Sequence, residues 1–258
     1  MTGFSYGIVT RRTVTFLRVI ARAAGYNGSV YSVKPAAREE VRATHMNTTL
    51  LYATTNPGKL MEVGKYLEPF GLTVVSPTQL GITIEVEESG QTLEENAILK
   101  ARAYLDRAPD RIVIADDTGV EIDALHGEPG IHVRRWRDKT TPLSDQEVID
   151  TCIARMRGIP TAQRGAQFRT VIALAIPGGT VELFDGILRG TIVETPAPLR
   201  IAGFPFEALF YIPEWGKLLG EIHELSIEEK MRCGYLTHRE RAVHQAIPRL
   251  QELARACC

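Results

Sequence analysis

The chain has 258 residues, 44% apolar and 24% charged, which suits a globular protein with its own core and excludes fibres, coiled coils and disulfide miniproteins. Thirty basic residues meet thirty-one acidic ones for a formal charge of -1, so no overall excess marks it for a nucleic-acid polymer or an anionic membrane. The four cysteines, Cys152, Cys233, Cys257 and Cys258, form no matched CxxC pairs, which predicts free thiols, and no run of eighteen apolar residues predicts a membrane span.

Charge is uneven along the chain. Before Met46 stand seven basic residues (Arg11, Arg12, Arg18, Arg22, Lys34, Arg38, Arg42) and two acidic ones (Glu39, Glu40), leaving about -6 on the remainder. In a helix over 10–24, Arg11, Arg18 and Arg22 would oppose Val14, Phe16, Leu17 and Ile20, the pattern of an organelle transit peptide. The alternatives are a poorly ordered extension or sequence upstream of a start at Met46. Residues 1–45 are therefore set apart from a domain at 46–258, and without targeting the protein is expected in the cytoplasm.

Apolar runs at Leu50–Thr54, Leu72–Val75 and Ile112–Ala115 alternate with helical patterns at about 57–69 and 93–106, which predicts an α/β arrangement. A further helix is predicted over 144–157. Phe168–Ile176, Val181–Phe184 and Ile187–Glu194 are separated only by PGGT and DG, so two hairpins and an antiparallel portion of the sheet are expected. Helical patterns return near 226–232 and over 239–255, where Pro248 should bend or interrupt the last one.

Four segments carry chemistry. In the first, a strand ends at Thr54 and a helix begins, with Asn56 as cap and Pro57 in the first turn. Free amides and the positive end of the dipole make a seat for phosphate, and Lys59 adds a charge, so Thr54, Asn56 and Lys59 form a candidate anion grip. In the second, Glu88 precedes a helix whose capping box is Thr92 with Glu95 and whose buried stripe is Ala97, Ala101, Tyr104 and Leu105; Asn96 and Lys100 share one face. In the third, an apolar strand ends in Asp116, Asp117 and Thr118. Ligands bind beyond the carboxyl ends of strands in open sheets, and adjacent carboxylates without convergent histidines suit Mg2+. In the fourth, Lys230, His238 and Arg239 offer donors to a base or a phosphate.

Taken in order, these segments resemble the inosine triphosphate pyrophosphatase family, the RdgB-like non-canonical purine nucleotide pyrophosphatases. The family's T-x-N-x-x-K appears as Thr54-Thr55-Asn56-Pro57-Gly58-Lys59, its E-x-G-x-T-x-x-E-N-A as Glu88 to Ala97, and its A-D-D-S-G as Ala115 to Gly119 with Thr118 for serine. Val120 to Gly130 resembles L-x-V-D-A-L-x-G-x-P-G, and Thr237-His238-Arg239 resembles S-H-R. The resemblance spans nearly all of 48–255. It implies an elongated mixed sheet with two α/β lobes flanking a nucleotide cleft, commonly in a homodimer. It also implies Mg2+-dependent hydrolysis of ITP, dITP or XTP to the monophosphate and pyrophosphate. By the same analogy Asp117 is the general base and a metal contact, and Glu88 and Asp116 are further metal carboxylates. Thr54, Asn56, Lys59 and Lys100 hold the triphosphate, Lys59 with a catalytic role, and Thr55 and Thr118 are further substrate-binding residues. Phe204, Phe206, Glu207, Lys230, His238 and Arg239 meet the base.

The chain departs from that pattern at the base. The family's G-F-G-[YW]-D-P-x-F reads Gly203-Phe204-Pro205-Phe206-Glu207-Ala208-Leu209-Phe210, with a proline that removes an amide hydrogen and a glutamate one methylene longer than aspartate. Lys230 stands further from His238 than in K-x-x-x-S-H-R, a spacing that can displace it from the base, and Glu240 replaces a glycine. Two other readings therefore stay open: a related pyrophosphatase with altered base specificity, and a catalytically silent nucleotide-binding module.

Overall fold

The computed structural model describes residues 48–256; the extension at 1–45 and its targeting alternative lie outside the described residues. Eight strands form one mixed sheet: β1 (Thr48–Tyr52), β2 (Leu72–Val75), β3 (Val113–Ile122), β4 (Pro129–Gly130), β5 (Gly165–Ala175), β6 (Val181–Ile192), β7 (Phe210–Ile212) and β8 (Lys217–Leu218). The helices are α1 (Pro57–Leu67), α2 (Leu93–Leu105), α3 (Asp145–Arg155), α4 (Leu219–His223), α5 (Ile227–Cys233) and α6 (His238–Ala256). Strand order is β2-β1-β3-β5-β6-β7-β8 with β4 on β3. β1 runs parallel to β2 and β3, and the other pairings are antiparallel. The mixed α/β sheet expected from the alternating pattern is present, and no helix among the described residues is long and apolar enough to cross a membrane.

The three long strands bridge two lobes. At about 3.3 Å per residue the twelve residues of β6 extend for roughly 40 Å, more than one layer of helices covers. At one end α1 and α6 pack on one face around Tyr52, Ile114, Ile172 and Leu174, while α2 covers the opposite face over Val113, Ala115, Val171 and Ala173. Val120, Ile122, Phe168, Leu188 and Ile192 form a separate core with α3, α4 and Phe206. Between these cores the strands carry polar residues, Asp116, Asp117 and Thr118 on β3 and Thr170 on β5. Each lobe buries its own apolar surface, and a polar waist remains between them.

Several boundaries differ from the sequence reading. β3 does not end at Ala115: β5 pairs with it from Val113 to Ile122, so the two aspartates sit in mid-strand. The crevice exists because β1 stops at Tyr52, after pairing only as far as Ile114, and leaves the acids without a neighbour on that side. The Asp185-Gly186 hairpin is absent, and β6 is continuous. Glycine is needed there for another reason: a Cβ on Gly186 would collide with the carbonyl of His238 and lie 2.5 Å from the amide nitrogen of Ala242, so its absence lets the start of α6 rest on the strand. At α2, Thr92 accepts from the Glu95 amide, but Glu95 reaches the Gln91 amide instead of closing the predicted box, and Leu105 is only partly buried while Leu93 and Asn96 join the buried face. α6 runs through Pro248 as one helix.

Gly186→Ala should therefore destabilise the protein by about 2 kcal/mol or more, since overpacking against backbone has no flexible side chain to move aside. Urea unfolding of the two proteins measures this, and an unchanged midpoint would contradict the close approach of α6.

Candidate active site

The helix start after β1 is built as its sequence suggests. Asn56 Oδ1 accepts from the amides of Gly58 at 2.9 Å and Lys59 at 3.3 Å, and Thr54 Oγ1 accepts from the Asn56 amide at 3.2 Å. Pro57 occupies the first turn, where its missing N–H costs nothing. This capping aims Lys59 at the waist, where its Nζ lies 2.9 Å from Asp116 Oδ2. Burial pulls the Lys59 ammonium below its ordinary pKa, against the attraction of Asp116.

The two aspartates differ in their partners. Asp116 is saturated: Oδ1 accepts from the Tyr52 hydroxyl at 2.8 Å, while Oδ2 takes Lys59, Arg239 Nε at 3.1 Å and Thr118 Oγ1 at 3.3 Å. Burial alone would raise its pKa, but Lys59 and then Arg239 outweigh it and hold the carboxyl well below the ordinary range. Asp117 accepts from Asn96 Nδ2 at 3.2 Å and from Lys100 Nζ at 3.2 Å, and burial raises its pKa against the pull of Lys100. Asn96 is fixed in turn, its Oδ1 accepting from the Gly90 amide at 2.9 Å. The face that Asn96 shares with Lys100 thus points at Asp117.

Glu88 joins this cluster from the loop before α2, 2.9 Å from Lys100 Nζ. Burial lowers the ammonium's pKa less than Asp117, Asp116 and Glu88 together raise it. Glu88 and Asp117 therefore converge on one point of positive charge. Among the described residues no group of three or more His, Cys, Asp or Glu side chains is assembled for a metal. Mg2+ needs no such cage, because it takes one or two carboxylates and completes its shell with water and phosphate oxygens. The donor chemistry of Glu88 and Asp117 fits that ion; Asp116, whose oxygens are already engaged, is placed as their support.

On the other wall, Phe204, Phe206 and Glu207 lie on the segment leading through a short 3-10 turn at Pro205–Ala208. Gly203, at φ +85°, turns the chain into this segment, and its amide donates to Asp145 Oδ2 while its carbonyl accepts from Arg134. Phe206 is buried between Trp136 and Phe168 rather than presented as an open stacking platform. His238 stacks on Phe168 with ring centroids 4.4 Å apart and planes 7° apart, and its Nδ1 lies 2.6 Å from Thr170 Oγ1. Burial, reinforced by Arg239, keeps its imidazole well below its usual pKa, so it is neutral.

A cavity of about 480 Å³ connects the two walls. Of the predicted residues, Thr54, Thr55, Asn56, Lys59, Glu88, Lys100, Asp116, Asp117, Thr118, Phe204, Phe206, Glu207, His238 and Arg239 line it. Lys230 does not. It is buried in an ion pair with Glu240, whose other oxygen accepts from the Thr237 amide at 2.9 Å, while Thr237 Oγ1 accepts from the Glu240 amide at 3.2 Å. Glu240 therefore caps α6 and neutralises the buried lysine, which accounts for a glutamate at this position.

Sequence reasoning missed Glu62, Tyr52 and His223. Glu62 bonds Arg239 Nη1 at 2.5 Å and Thr237 Oγ1 at 2.6 Å. Its signal was available: an acid one turn beyond Lys59 and next to Val63 on the buried face of α1. His223 carried none, because its partners come from distant segments.

These features define a mixed α/β protein with a cleft of opposed acids and bases between two lobes. The Ham1 family model matches residues 50–249, and the chain belongs to that family. It is 37% identical over 185 residues to the dITP/XTP pyrophosphatase of Bacillus subtilis (strain 168), covering 72% of this chain and 89% of that protein. It is 38% identical over 197 residues to the dITP/XTP pyrophosphatase of Thermus thermophilus, covering 76% and 90%. The solved Ham1 protein of Staphylococcus aureus shares 32% identity with a TM-score of 0.62, covering 80% of this chain and 99% of that one. The HAM1 protein of Coxiella burnetii shares 28% with a TM-score of 0.64 and the same coverages.

Asp116→Asn leaves Arg239 and Lys59 without their shared counter-charge and should cost about 3–5 kcal/mol at pH 7. Because the folded pKa of Asp116 lies below its unfolded value of about 4, its contribution is complete above that value and disappears as pH falls. The stability gap between wild type and variant should accordingly narrow between pH 5 and pH 2 in urea titrations. A constant gap would contradict the ion-pair assignment.

Proposed function

We propose that the chain is a nucleoside triphosphate pyrophosphatase that hydrolyses non-canonical purine nucleotides (ITP, dITP and XTP) to the monophosphate and pyrophosphate. The observation that carries this reading is the shared cavity that Lys59 and the start of α1 line together with Glu88 and Asp117, which Lys100 joins. The names of the curated relatives support the same reaction.

The polyanionic tail is received by Lys59, by Lys100 and by Thr54, Thr55 and Asn56 at the helix start, where the dipole and the ammonium groups offset phosphate charge. Glu88 and Asp117 are the residues that would hold Mg2+. When bound, the ion neutralises developing phosphate charge and acidifies water. Asp117 acts as general base, orienting a water for in-line attack and accepting its proton. A carboxylate raised by burial holds that proton more readily than an exposed one. Asn96 and Lys100 fix its two oxygens, so the base is oriented before substrate arrives. Asp116 holds Lys59 and Arg239 in place, and Thr118 steadies the strand through Thr170. At the opposite wall, Phe204, Glu207, His238 and Arg239 bound the space left for the base.

Pyrophosphate release from ITP, dITP, XTP, GTP, ATP and UTP with Mg2+ tests the reading. ITP and XTP should exceed GTP and ATP in kcat/KM; equal values would favour the related pyrophosphatase of altered specificity, and no release from any would favour a silent binding module.

Asp117→Asn should lower kcat by about 10²–10⁴ while nucleotide binding survives, whereas Lys59→Ala should weaken both. Near-normal turnover in the aspartate variant would remove Asp117 as the base.

A further inference from the structure

Glu207 is 3% exposed and lines the cavity, yet among the described residues neither of its carboxyl oxygens receives a well-directed hydrogen bond. His223 reaches only one of these oxygens, Oε1, and an acceptor buried without a donor is costly, so Oε2 is left to accept from a group entering the cavity. The group closest to it is His223, the last residue of α4. Its Nδ1 is in ion-pair contact with Glu207, and its Nε2 lies 3.2 Å from Glu62. The ring also packs against Phe204, with centroids 5.6 Å apart.

Resting on the function proposed above, we infer that His223 is a positioning residue for base selectivity: it holds Glu207 as a hydrogen-bond acceptor for the N1–H of a 6-oxopurine. Hypoxanthine and xanthine present that hydrogen, whereas adenine presents an acceptor at N1 and would set lone pair against lone pair. A buried polar site of this kind rejects the analogue that leaves it unpaired far more strongly than an apolar pocket can.

The charge state that makes Glu207 an acceptor depends on its surroundings. Burial pushes its carboxyl upward towards the protonated form, which would donate to adenine N1, and His223 opposes that push. The other charged groups facing it are Glu62 from α1, which also raises it, and Arg239 from α6, which lowers it. Burial disfavours the imidazolium too, but Glu62 and Glu207 outweigh this and bring His223 up to about 10, so it is charged at neutral pH. Neither His223 nor Lys230, which pairs with Glu240, lines the cavity, so the charge of His223 acts there through Glu207, which does.

The experiment compares kcat and KM for ITP and ATP in wild type, His223→Leu, His223→Gln and Glu207→Gln, with folding checked by circular dichroism. The ITP:ATP ratio of kcat/KM should fall about tenfold or more in His223→Leu, chiefly through a higher KM for ITP. It should fall less in His223→Gln, which keeps a neutral donor beside Glu207. Glu207→Gln, nearly isosteric and therefore informative if the histidine variants fail to fold, should lower the ratio, because His223 Nδ1–H holds the amide oxygen and leaves the NH2 donor opposite N1. A ratio within twofold of wild type in the folded variants, or parallel losses for both nucleotides, would overturn the role of His223 while leaving the proposed activity intact. A wild type without preference for ITP would overturn both.

Discussion

The buried guanidinium of Arg239 is the interaction on which the rest of the site depends. It bonds Glu62 on α1, Asp116 and Thr118 on β3, and lies 5.8 Å from the centre of the Phe204 ring on the opposite wall of the cavity. A fully buried charge is tolerable only when paired and hydrogen-bonded, so this one residue forces two carboxylates, a hydroxyl and an aromatic ring from separate segments to converge. Its planar fork suits that task in a way a lysine would not. Asp116, held by Arg239, positions Lys59; Glu62, held by the same group, positions His223.

This lattice separates two kinds of carboxylate. Asp116 and Glu62 are committed to internal cations, and their charge is fixed by the fold. Asp117 and Glu88 share a single lysine and face open space, and Glu207 faces it with no well-directed donor. The groups with capacity to spare are those that line the cavity beyond the lattice. Rigid support behind, and incomplete satisfaction in front, is how a preorganised site is built: the supporting charges keep their geometry while the working ones can exchange partners with a substrate.

Lys230 lies outside the cavity and is neutralised within the protein. An unpaired ammonium at this buried position would be expensive, and Glu240 both pairs Lys230 and caps the helix. The cavity is instead lined by Glu207, His238 and Arg239, with His223 behind Glu207.

Much of the site was legible in the chain because it lies at element boundaries with local rules: Asn56 and Pro57 announce a capped helix, Lys59 follows from its first turn, and Asn96 with Lys100 share a face by helical spacing. The acids of β3 were expected in a crevice and do line the cavity, but in mid-strand, because the end of a neighbouring strand leaves no mark in the sequence of β3 itself. Gly186 suggested a turn, yet it is a flat strand residue pressed by α6, a pressure exerted by atoms far along the chain. His223 and Glu62 show the same limit. Local periodicity and capping are short-range physics that a sequence states directly; which buried charges meet depends on how long strands register and helices dock, and that is fixed only when distant segments must satisfy one another in a medium that cannot solvate them.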